Sequence, residues 1–120
     1  MSIFMLIGNV KYLVAHSRYS IILYCKEYNI GLEEFNIPVV IPKGVVNCSN
    51  LLRGCKSFNQ SVLIANDVKY CDYMFYGCEN YNQPIWLPKS VISHKHIFEH
   101  CSNYKYGFAT NSIYDYFHNE

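Results

Sequence analysis

The sequence predicts a short right-handed solenoid of four coils of about 23 residues, with a parallel β-sheet along one face and short turns or 3-10 segments along the other. Three observations carry this expectation. Cys55, Cys78 and Cys101 recur at intervals of 23, as do Cys25, Cys48 and Cys71. Phe35, Phe58, Tyr81 and Tyr104 keep the same interval, with Asn36, Asn59 and Asn82 directly behind the first three. Gly54 and Gly77 also keep it, and Ile41-Pro42 matches Leu87-Pro88 two intervals later. A fixed period in the twenties is the signature of stacked repeats, in which each unit buries its apolar side only against its neighbours.

The expected division is an N-terminal cap over residues 1–21, four repeats over 22–113 and a C-terminal cap or tail over 114–120. In the first segment Gly8-Asn9 separates two β-prone runs, which suits a tight hairpin covering the first open coil. Each repeat then reads as a short strand, a turn and a cysteine-bearing segment. The strands are Val39-Val40-Ile41, Val62-Leu63-Ile64, Ile85-Trp86-Leu87 and Phe108-Ala109-Thr110. Pro42 and Pro88 open the turns, and Val45, Val68 and Val91 lead into a single helical or 3-10 turn carrying the cysteines. Tyr114, Tyr116 and Phe117 of the polar end are available to fold over the last repeat.

Composition narrows the function classes. The chain has 120 residues, enough for one domain, with 51% hydrophobic and 16% charged residues, too apolar for disorder. A net charge of +1 with Lys and Arg scattered singly offers no footprint for nucleic acid or anionic membrane. No apolar run approaches the roughly 20 residues that span a bilayer, and Met1–Ile7 lacks the basic start of a secretory signal. A cytoplasmic location with reduced thiols is the expectation.

The pattern of Phe75, Cys78, Ile85, Leu87, Pro88, Val91, Phe98 and Cys101 resembles the leucine-rich repeats of the BspA-like group, which share the 23-residue period. Phe35-Asn36-Ile37-Pro38 and Tyr81-Asn82-Gln83-Pro84 resemble the related FNIP-type repeat. The resemblance covers about 92 of the 120 residues and is worn in the first copy, where Leu32 replaces a cysteine, and in the fourth, where Lys105 replaces the Asn. It implies a leucine-rich-repeat-like solenoid that binds proteins without catalysis, of a kind found as short stand-alone arrays in phage and prophage genomes.

The chemistry-bearing residues each have a structural reading. Cys25, Cys48, Cys71 and His94 form a zinc-type ligand set on paper, yet residues stacked one per coil lie about 4.8 Å apart in a line and do not converge on one ion. Cysteines seven apart allow a disulfide if the protein is oxidised, whereas free buried thiols are the default for such positions. Cys101 with a histidine among His94, His96, His100 and His118 formally pairs nucleophile and base, but Cys101 belongs to an interior column. The Asn column reads as buried amides bonding the backbone of neighbouring coils. No catalytic residue, metal ligand or cofactor is assigned.

The candidate partner face is the outward side of the strands. Alternation sends Val40, Leu63, Trp86 and Ala109 outward, flanked by Pro84 and Pro88 among others, and an apolar residue at each exposed position around the only Trp marks an interaction surface. A phase shift of one residue would bury Trp86 instead, and a capping segment could close the same face. The expected function is therefore a non-enzymatic protein-binding module, as a phage-encoded binder that blocks or redirects a host protein such as a defence complex. The alternative is a self-associating structural or virion-associated protein.

Overall fold

A computed structural model describes residues 1–106. Strand β1 (Phe4–Ile7) turns at Gly8-Asn9 into the antiparallel strand β2 (Val10–Val14). Helix α1 (Arg18–Glu27) crosses over to β3 (Val39–Ile41), which lies parallel to β2, and β4 (Val62–Ile64) lies parallel to β3. The sheet order is β1-β2-β3-β4. Parallel neighbours require a long crossover, which α1 and the 3-10 turn Leu32–Glu34 supply between β2 and β3.

Helix α1 is specified at both ends. The Ser17 hydroxyl accepts from the Tyr19 N–H at the N-terminus. At the C-terminus Asn29 adopts φ 51°, and the Ile30 N–H returns to the Cys25 carbonyl at 3.0 Å, closing a Schellman-type stop. Ile21 and Cys25, four residues apart, present one face to the core. None of the described helices is long and apolar enough to cross a membrane.

Beyond the sheet the chain is held by a second ladder. In the turn-rich stretches 48–54 and 71–77 alternate amides donate to carbonyls 22 residues ahead. Cys48, Asn50, Leu52 and Gly54 donate to Tyr70, Asp72, Met74 and Tyr76, at 2.7–2.9 Å. Cys71, Tyr73, Phe75 and Gly77 then donate to Ser93, Lys95, Ile97 and Glu99, at 2.9–3.0 Å. Several intervening amides close local turns, as Leu51 does to Cys48 and Arg53 to Asn50. Alternation of this kind leaves few buried backbone groups unpaired without building a helix. The left-handed residues obey the same interval: Asn50, Tyr73 and His96 have φ 64°, 58° and 55°, and Gly54, Gly77 and His100 have φ 79°, 77° and 62°.

The four-coil solenoid is corrected. The fold is a small globule with one mixed four-stranded sheet, half of it an antiparallel hairpin, rather than a four-rung parallel sheet. The first expected coil contains α1, so Cys25 reaches the core from a helix. Ile85-Trp86-Leu87 is not a strand, and Phe108-Ala109-Thr110 lies outside the described residues, as does the segment 114–120. The cysteine-bearing stretches are runs of turns rather than helical segments. The missing strand at 85–87 has a specific cause. Ala65 bonds β3 by donating its N–H to the Ile41 carbonyl at 3.1 Å, and the residue 23 positions later is Pro88, which has no N–H.

The core lies between the sheet and the turns. The rings of Phe35, Phe58, Tyr81 and Tyr104 stack in one column at 5.9, 5.7 and 5.7 Å between centroids. Phe75 and Phe98 pack against that column. Val45, Val68 and Val91 are buried, together with all six cysteines.

Candidate functional site

Strand alternation divides the sheet into two faces. Leu13, Ala15, Val39 and Ile41 point into the main core, whereas Tyr12, Val14 and Val40 form a separate cluster on the opposite, outer side with Ile7 packed on it. In register with Val40 comes Leu63, and 23 residues further Trp86. Ile85 and Leu87 lie in the core, while Trp86 stands outside it at 53% exposure and Leu63 at 37%. Pro84, two residues before Trp86, is also exposed. Beneath Trp86, a groove of about 510 Å³ is lined by Ile64, Asn66, Leu87, Pro88, Lys89 and Ser90.

Two of the expected face residues are not surface. Val40 is only 8% exposed, because the hairpin that pairs with β3 brings Tyr12 and Val14 over it. Pro88 is buried and forms part of the groove wall instead of a flank. Ala109 falls outside the described residues. At the β4 end the outer apolar surface is thus Leu63, Trp86 and Pro84, next to the closed cluster at Val40; at the β1 end Ile3, Met5 and Val10 are exposed on the same side.

The turn face carries a constellation the sequence reading did not assemble. The Arg53 guanidinium lies 4.9 Å from the Tyr73 ring centroid and 4.6 Å from that of Tyr76. Tyr73 stacks on the His96 imidazole at 5.0 Å, and Tyr76 meets His100 edge-on at 5.0 Å. Glu99 bonds His96 Nδ1 and lies 3.9 Å from His100 Nε2. The available signal was the interval itself, which puts Tyr73 beside His96 and Gly77 beside His100. Only the left-handed turns, however, aim these side chains together.

The thiols are poorly suited to nucleophilic work. Burial pushes Cys48 and Cys55 up to about 12 and Cys101 up to about 11, and drives Cys71 and Cys78 upward as well. Cys78 and Cys101 donate to the Leu52 and Phe75 carbonyls at 3.0 and 2.9 Å. Cys25, Cys48 and Cys71 do not gather with His94, and among the described residues no group of three or more acidic, His or Cys side chains is placed to hold a metal ion. The Asn column works as a ladder, each amide serving the next segment's backbone, but its members are half-buried or exposed rather than interior.

The fold is a small globule with one mixed four-stranded sheet in which residues 23 apart take corresponding places. The family comparison places it further. Residues 19–112 match the family described as "Mycoplasma protein of unknown function, DUF285", and the chain belongs to that family. Membership is consistent with the BspA-like and FNIP-like resemblance of the repeats; no phage origin follows from it. No curated protein and no solved structure matches the chain.

Proposed function

We propose that this protein is a non-enzymatic protein-binding module whose partner docks on the outer sheet surface at Leu63 and Trp86. The observation that carries the reading is the exposed Trp86, beside Leu63 and Pro84 and over an open groove. Large aromatic side chains anchor interfaces because they bury much area while losing little rotamer freedom. Burial holds the cysteine thiols in their protonated form, which weighs against thiolate catalysis. The same reading takes the setting as cytoplasmic, in keeping with six cysteines placed in the packed interior. The finer version, a phage-carried binder directed at a host protein, rests on the repeat resemblance alone.

Affinity capture from bacterial lysate tests the reading, with wild type beside Trp86→Asp and Tyr19→Asp. Tyr19 is an exposed aromatic on α1 that does not line the groove at Trp86, and serves as control. A protein retained by wild type and Tyr19→Asp but lost from Trp86→Asp is the expected result. Equal retention by all three would overturn the assignment.

A further inference from the structure

We propose that two copies of this chain pair through strand β1, antiparallel about Met5, joining their sheets edge to edge. The edge of β1 does not include Trp86 or Leu63. β1 is the first strand of the sheet, with β2 its sole neighbour among the described residues. Its bonding phase follows from two facts. The two-residue turn makes Ile7 and Val10 a bonded pair, and the Val14 N–H donates to the Ile3 carbonyl at 2.9 Å. Ile3, Met5 and Ile7 therefore direct their amides and carbonyls to β2. Phe4 and Leu6 direct theirs outward, where no described residue bonds them.

Two outward residues spaced by two make a self-complementary edge. Set antiparallel to its own copy with Met5 facing Met5, Phe4 of each chain lies opposite Leu6 of the other. Their four N–H groups and four carbonyls supply four hydrogen bonds about one two-fold axis. The side chains fit the same register. Leu6, 73% exposed, would lie beside Phe4, which already packs against the core through Tyr24. On the outer side Ile3, 59% exposed, would meet Ile7. No charged residue faces its like across the axis, and Phe4–Ile7 carries none of the charges, prolines or bulges that normally guard an edge. Lys11, which pairs with Leu6 and lies over the Phe4 ring, is the nearest cation. A junction of so few residues gives an equilibrium that depends on concentration rather than an obligate dimer.

Light scattering and sedimentation from roughly 1 µM to roughly 500 µM test the pairing. Wild type is expected to rise from 14.0 kDa toward twice that mass. Leu6→Pro removes an outward N–H without touching the β2 ladder, and Leu6→Lys places a charge at the junction; both are expected to stay monomeric, with unchanged far-UV circular dichroism. Trp86→Asp is expected to dimerise like wild type. Met5→Cys is expected to form a covalent dimer on mild oxidation, because facing residues of a non-bonded pair lie close, while Val10→Cys on β2 is not. Wild type monomeric throughout, a dimer lost in Trp86→Asp, or one retained in both Leu6 variants would overturn the proposal.

Discussion

The Asn82 N–H donates to the Asn59 side-chain oxygen at 2.9 Å, and the Asn59 N–H donates to the Asn36 oxygen at 2.8 Å. The next step follows the same rule with a different donor, because the Lys105 N–H bonds the Asn82 oxygen at 3.0 Å. Each amide therefore acts as acceptor for the segment after it, and the last acceptor needs no Asn to receive its bond. Asn59 carries more than its neighbours, since its oxygen also takes a bond from Gln83 Nε2 at 3.1 Å. Asn59→Ala is expected to lower stability by about 1–2 kcal/mol in urea unfolding, and Asn59→Asp, which keeps an acceptor, by less. An alanine variant as stable as wild type would show that the ladder contributes nothing to stability.

Tyr81 offers the opposite sign. Its ring is fully buried in the aromatic column, yet its hydroxyl has no hydrogen-bond partner among the described residues. Phe35 and Phe58 hold the corresponding places upstream without a hydroxyl. Tyr81→Phe should leave the packing intact and remove the desolvation penalty, raising Tm by a few degrees. A clear fall in Tm would show that the hydroxyl is satisfied after all.

Gly77 sits at φ +77°, where an added Cβ would meet only Gly54 backbone atoms at an ordinary 3.7 Å. The cost of a side chain there is conformational rather than steric. Gly77→Ala is expected to lose about 1 kcal/mol, and Gly77→Asn less, because Asn tolerates the left-handed region. His100 already holds the equivalent place in the next segment at φ 62°. Comparative melts of the two variants decide it; equal losses would point to crowding instead.

The buried thiols give the fold a pH dependence. Cys48 and Cys55 are raised by burial from 9.0 to about 12, so between those values the unfolded chain has lost protons that the folded chain keeps. Stability from these groups is whole below about pH 9 and falls as pH rises toward 12. Tm measured from pH 7 to pH 10.5 should drop, with a shallower slope in Cys55→Ala. In the same range Ellman's reagent should find six thiols in denaturant and react only slowly with native protein. Fast native labelling would mean the cysteine columns open readily.

Side-chain intervals were legible in the sequence, while backbone shape was legible only in part. Cys25 keeps the 23-residue spacing of its column but does so from α1, because Ser17 caps a helix and Asn29 stops it. A helical residue and a turn residue can point into the same core. Trp86 reads as outward from alternation alone, since Ile85 and Leu87 need burial whether or not a strand forms. The lost strand at 85–87 hinges on Pro88, whose missing N–H matters only once Ala65 is seen to donate from the equivalent position. Burial of Val40 depended on the hairpin pairing with β3, a contact between segments that the repeat does not relate. The Arg53, Tyr73 and His96 assembly needed left-handed backbone at Tyr73, a residue type that gives no sign of it.

Site-specific photo-crosslinking can locate the partner surface on the molecule. A photoreactive side chain is placed at Leu63 or Trp86 on the outer sheet surface, or at Arg53 or Glu99 on the turn face, and irradiated in lysate. One discrete cross-linked product is expected from positions 63 and 86, and none from 53 and 99. Products formed only from the turn face would contradict it and move the partner surface to the Tyr73 and His96 cluster.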